Sequence, residues 1–267
     1  MADTRVYAAL LRAGMAGQAT YRASFAVELV GTAMGMGLDF VEIFAVFHQV
    51  PSIAGLSFVE VVLVFAIAST GFATADLLVG QSDAVIRHVR DGTFDVVLLR
   101  PLSMLGQLAA ADVQLRRLGR VSVSLLLLLV VVLVRLDLDW TPARAAMAVL
   151  APIAATLVFG ALFVAAGGIA FWVVDATEVT SALTYGSAYL AQWPTGVLTP
   201  VLARFFTFVI PAAFTGYLPA LALLGKPDPT GLPDWLPWAA PLAAVAAAVA
   251  AGLVWRSGVR HYVGAGG

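Results

Sequence analysis

The chain has 267 residues, 61% of them hydrophobic and 12% charged, with a formal net charge of −1 and no cysteine. This balance, with a mean hydropathy of +0.94, excludes a soluble domain of this length, and basic residues scattered rather than gathered in a stripe exclude a nucleic-acid surface. The lack of cysteine excludes disulfides, thiolate catalysis and cysteine-ligated metal.

In chain order, Val6, Tyr7, Leu10, Leu11 and Met15 share one helical face bordered by Arg5 and Arg12, which predicts an interfacial helix over residues 4–20. The apolar run that follows Arg22 lacks a cleavage site and is too long for a secretory signal, so a retained span is expected near 24–47. Further apolar runs long enough to cross hydrocarbon, which takes ~20 helical residues, lie near 58–79, 118–134 and 143–174. The fourth is longer than a bilayer requires, and Pro152 and the Gly167–Gly168 pair are its expected bends. A fifth span is expected at 179–198, continued to Leu224 by a stretch broken at Pro200, Pro211 and Pro219, and a last span at 238–255. The Ala-rich run from Ala243 to Ala251 suits a helix with a small-residue packing face. Trp140, Trp235 and Trp238 fall at expected outer boundaries and Trp255 at an inner one, as interfacial anchors.

Whether the fifth stretch crosses once or twice is decided by charge. With six crossings, Arg5, Arg12, Arg22, Arg87, Arg90, Arg100, Arg116, Arg117, Arg120, Arg256 and Arg260 share one side, leaving Arg135, Arg144 and Lys226 opposite. That asymmetry predicts both termini in the cytoplasm. The expected fold is therefore a single all-α, polytopic membrane domain over 1–267 with six transmembrane helices, and residues 199–224 form a re-entrant segment.

No catalytic constellation is present. The one lysine, Lys226, precedes Pro227, so no phosphate-binding loop exists, and His48, His88 and His261 have no metal-ligand spacing. The longest polar insertion is the cytoplasmic segment 81–104. There Val85, Ile86 and Val89 form an apolar face flanked by Arg87 and Arg90, Gly92 stops the helix, and Phe94 and Val97 follow before Pro101 turns the chain. Such an element suits either anionic lipid headgroups or a groove on a cytoplasmic partner.

Within this insertion, Arg90-Asp91-Gly92-Thr93-Phe94-Asp95-Val96-Val97-Leu98-Leu99-Arg100-Pro101-Leu102 resembles the R-x-G-x-[LF]-D-x-x-L-L-R-P-L signature of a bacterial group of ABC type-2 exporter permeases. Tyr21-Arg22-Ala23, the stretch from Ile210-Pro211 to Tyr217-Leu218-Pro219-Ala220, and Trp255-Arg256-Ser257-Gly258 resemble the same group, which has tyrosine where this chain has Trp193. The resemblance implies a permease subunit of the bacterial inner membrane, not itself an enzyme, paired with a second permease as homodimer or heterodimer. Two ABC ATPase subunits would bind the ATP and magnesium, and no cofactor belongs to this chain. Carried over by position, the ATPase-coupling role falls on Arg87, Arg90, Gly92, Thr93, Phe94, Asp95, Arg100 and Pro101. The implied activity is ATP-driven export of a hydrophobic or amphipathic solute by alternating access.

Ionisable residues inside spans are costly and mark functional regions. Glu28, Asp39 and Glu42 lie in the first span and Asp76 near the inner end of the second. Arg204 is the expected counter-charge of Asp39 and Glu42, either as a buried pair that holds the broken segment or as part of a path for a cationic amphiphile, with Tyr189 and Gln192 lining it. Two rival functions are a proton-coupled carrier working through Glu28, Asp39 and Glu42, and a membrane scaffold or lipid-flipping assembly factor.

Overall fold

In lipid every backbone polar group must be satisfied within the chain, and each regular element among the described residues is helical. The computed structural model describes residues 22–80, 116–173 and 177–262, with Val85 and Gly106. The expected interfacial helix 4–20 and all of segment 81–104 except Val85 lie outside the described residues.

The helices are α1 (Arg22–Phe47), α2 (Phe58–Val79), α3 (Arg116–Val130), α4 (Pro142–Ile169), α5 (Thr177–Ser181), α6 (Ser187–Ala191), α7 (Pro200–Phe208), α8 (Tyr217–Leu224) and α9 (Ala240–His261). A π-helical turn extends α3 from Val131 to Arg135, and another joins α5 to α6 across Ala182–Gly186. Among the described residues, five stretches are long and apolar enough to cross a membrane: most of α1, all of α2, α3 with its extension, α4, and Leu236–His261. The expected fifth span is instead a composite of three five-residue pieces, α5, the π-turn and α6, shorter than the ~20 residues that a straight crossing needs.

Local signals set the helix starts. Ser57 and Glu60 form a capping box at α2, with the Ser57 amide 2.8 Å from the Glu60 carboxylate. At α4, the Thr141 hydroxyl accepts from the Arg144 amide at 3.2 Å and Pro142 occupies the first turn, where its missing N–H costs nothing.

α2 is the hub. Val61 to Ala73 are all buried, by α3, α4 and α8, and α8 contributes Tyr217, Leu218 and Leu221 to the same core. α4 packs on α2 with one face and on α9 with another. Both contacts depend on small residues: Gly71 lies against Ala155, and Gly168 lies so close to α9 that a Cβ there would meet the Trp255 amide nitrogen at 3.1 Å. Close approach of this kind is how helices associate where lipid removes the hydrophobic drive.

Two expectations change. α4 runs through Pro152 and the Gly167–Gly168 pair as one helix and ends at Ile169, and Gly168 packs closely against α9. Trp255 is no interfacial anchor: it is buried, edge-on to Phe171 at 5.7 Å. Trp140, Trp235 and Trp238, by contrast, are exposed.

The broken segment begins and ends at one end of the bundle. Gly196 lies beside Ala54 of the α1–α2 loop, and after α7 and α8 the chain returns to that loop, where the Lys226 ammonium is 2.7 Å from Glu60 and 3.1 Å from the Gly55 carbonyl. Gly225 permits the return by adopting a left-handed φ of 67°.

Placing a branched side chain at the α2–α4 contact should overpack it. Gly71→Val is expected to cost about 1–3 kcal/mol, seen as a lower thermal transition of the purified chain; an unchanged transition would show that the contact is slack.

Candidate functional site

On α1, Val27, Gly31, Gly35 and Asp39 recur every four residues and so form one face; all four line a cavity of about 610 Å³. α2 closes it with Ser69 and Phe72, α3 contributes Arg120, and the α5–α6 run supplies Tyr185, Tyr189 and Gln192. Tyr185 and Tyr189 are also four apart, and the π-turn that holds Tyr185 alters the helical phase where it meets α2. Such π-turns within helices recur at functional sites.

The cavity is apolar on one wall and polar on another. Phe72 stacks edge-on with Tyr185 at 5.7 Å and Phe159 at 5.4 Å, giving an aromatic wall. The Tyr189 hydroxyl donates to Glu42 at 2.9 Å. Asp39 is half-buried, and no ion pair within 4 Å joins it to Arg120 among the described residues. Ser69 is 8% exposed and its hydroxyl has no hydrogen-bond partner among the described residues. Its neighbours differ, because Thr70 and Thr74 turn their hydroxyls back onto Ala66 and Thr70 carbonyls at 2.7 Å. An unpaired buried hydroxyl costs ~1–3 kcal/mol.

Of the residues singled out from sequence, Asp39, Tyr189 and Gln192 share this cavity, and Glu42 adjoins it through Tyr189. The side chain of Glu28 lies outside the described residues, as do Arg87, Arg90, Gly92, Thr93, Phe94, Asp95, Arg100 and Pro101. Arg204 is not the counter-charge. Ala203 and Thr207 are the buried positions of α7, which turns Arg204 to the exposed face away from the cavity. Arg120 takes that place. Asp76 pairs with Arg117 at 3.2 Å, and the same guanidinium donates to the Asp76 carbonyl at 2.5 Å.

Sequence reasoning missed Ser69, Phe72, Tyr185 and Arg120. Arg120 reads from sequence only as one more charge of the Arg116-Arg117-Leu118-Gly119-Arg120 cluster. Nothing in the run Ala66-Ile67-Ala68-Ser69-Thr70 distinguishes Ser69 from an ordinary packing serine.

Residues 33–266 match the family model described as ABC-2 family transporter protein. No curated protein and no solved structure matches the chain.

If the Ser69 hydroxyl serves a solute rather than the fold, Ser69→Ala removes an unsatisfied group at no structural cost. Its thermal transition should equal or exceed that of the parent; a marked fall would show that folding uses the hydroxyl.

Proposed function

The chain belongs to the ABC-2 transporter family, a multi-pass membrane transport component, and from that premise we propose that it is the export permease of an ATP-driven pump for hydrophobic or amphipathic solutes. The cavity carries this reading. It combines an aromatic wall at Phe72 and Tyr185 with a carboxylate at Asp39, the two kinds of contact that an amphiphile needs. Ionisable groups at such depth are tolerated when they face protein or a wet path.

Energy comes from separate ATPase subunits, since no phosphate-binding loop exists in the chain. They dock on segment 81–104, where Phe94 is the apolar anchor and Arg87, Arg90 and Arg100 meet an acidic rim, with Gly92, Thr93, Asp95 and Pro101 included in the docking motif by the resemblance. Closure of the ATPases pulls on that segment and so shifts α2 relative to α3, opening the cavity alternately to each side. Only a solute that binds the two states differently is moved by such a cycle.

The membrane path has six crossings, with Thr177–Val197 as the fifth and residues 199–224 re-entrant. The contact of Gly196 with Ala54 and of Lys226 with Glu60 supports this, because both ends of the segment reach the same loop. A second permease sits against α1, whose Val27, Val30, Met34, Leu38 and Val41 are all exposed. Both termini are cytoplasmic, and the membrane is the bacterial inner membrane.

Two variants test the reading in a complex purified through a tag on this chain after co-expression with its ATPase. Phe94→Ala should weaken retention of the ATPase by about 2 kcal/mol or more, with a matching loss of ATP hydrolysis; full retention and full hydrolysis would remove the coupling assignment. Gly35→Leu should fill the cavity and abolish solute-stimulated hydrolysis while the thermal transition holds, because a Cβ at Gly35 meets nothing within 4 Å. Undiminished stimulation would move the solute path elsewhere.

A further inference from the structure

Two opposite charges line the cavity without closing on each other. Asp39 of α1 and Arg120 of α3 both line it, but no ion pair within 4 Å joins them among the described residues. The neighbouring arginine, Arg117, is committed to Asp76 at 3.2 Å. Arg120 therefore supplies the positive end of the cavity, while Asp39, with Glu42 behind Tyr189, supplies the negative end. A solute with a cationic headgroup alone would meet Asp39 favourably and Arg120 unfavourably; an anionic one would meet the reverse.

We propose that the cavity selects a zwitterionic amphiphile, its cationic group at Asp39, its anionic group at Arg120, and its apolar body along Phe72 and Tyr185. Ser69 adds a hydroxyl without a partner at the cavity wall, able to donate to the solute's oxygen atoms. Arg120 is then the residue that sets specificity, since a carboxylate and an aromatic wall alone would accept any cationic amphiphile. This inference rests on the cavity being the solute site of the proposed exporter. The same headgroup chemistry is offered by two sources, a zwitterionic phospholipid of the bilayer and a free zwitterionic solute.

The test is direct binding to the full chain in nanodiscs of phosphatidylglycerol, with empty discs as blank. Three probes sharing one tail are compared below their micellar concentrations: octyl sulfobetaine, octyltrimethylammonium and octyl sulfate. The sulfobetaine should bind about tenfold tighter than either singly charged probe, the worth of one additional charge-assisted contact. Arg120→Met should reduce it to the level of the cation, Asp39→Asn to the level of the anion, and Arg120→Lys should restore most of the preference, which separates recognition from damage to the fold. Repeating the titration in discs that contain phosphatidylethanolamine distinguishes the sources. Competition assigns the site to a lipid headgroup, and its absence assigns the site to a free solute. Equal binding of sulfobetaine and octyltrimethylammonium, unchanged by Arg120→Met but lost in Asp39→Asn, would overturn the zwitterion inference and leave the solute path intact. Binding of all three probes that ignores Asp39→Asn, Arg120→Met and Gly35→Leu alike would overturn both.

Discussion

α2 has no polar face to give to water. Its residues from Val61 to Ala73 are buried, so the helix is satisfied only when α3, α4 and α8 surround it. In a bilayer that enclosure gains little from the hydrophobic effect, because lipid tails are as apolar as the side chains they would replace. What holds it is close contact of backbones, obtained where Gly71 meets Ala155, and repeated on the far side of α4 where Gly168 meets α9. The arrangement of the remaining elements follows. α4 is fixed by two glycine contacts, α8 is drawn into the core through Tyr217 and Leu218, and α1, which supplies little to that core, is left at the edge.

The peripheral position of α1 creates the cavity. Glycines at 31 and 35 leave its inner face open, so α1 stands off from α2 and the α5–α6 run instead of sealing against them. Charge completes the site. Asp76 and Arg117 form a close pair, whereas no ion pair within 4 Å joins Asp39 to Arg120 among the described residues. Polar groups held at a distance around an aromatic wall describe a receptor for a dipolar solute more closely than they describe packing.

The broken segment reaches the α1–α2 loop. α7 and α8 are joined by the 3-10 turn Pro211–Thr215, and the Thr207 and Thr215 hydroxyls donate back to the Ala203 and Ala212 carbonyls at 2.7 Å. Beyond it, the Tyr217 hydroxyl donates to Asp228 at 2.8 Å, and Asp228 accepts from the Thr230 and Leu232 amides. With Lys226 on Glu60, these contacts bind the loop after α8 to the start of α2. Movement of α2 would therefore be felt at this loop.

From the sequence alone, the helical class, the apolar runs that became α1 to α4 and α9, and the broken stretch after Pro200 were legible, because long apolar runs and prolines act locally and the bilayer allows few alternatives. Asp39, Tyr189 and Gln192 were legible as candidates because polarity in a span is conspicuous. The partner of Asp39 was not. Arg204 and Arg120 are equally plausible on charge, and only the packing of Ala203 and Thr207, which turns Arg204 outward, decides between them. Nor could periodicity show that Gly168 packs against α9, that Trp255 is buried, or that Ser69 lacks the helix carbonyl its neighbours use. Each of these depends on which face another helix covers, a property of distant residues brought together and not of the run in which the residue sits.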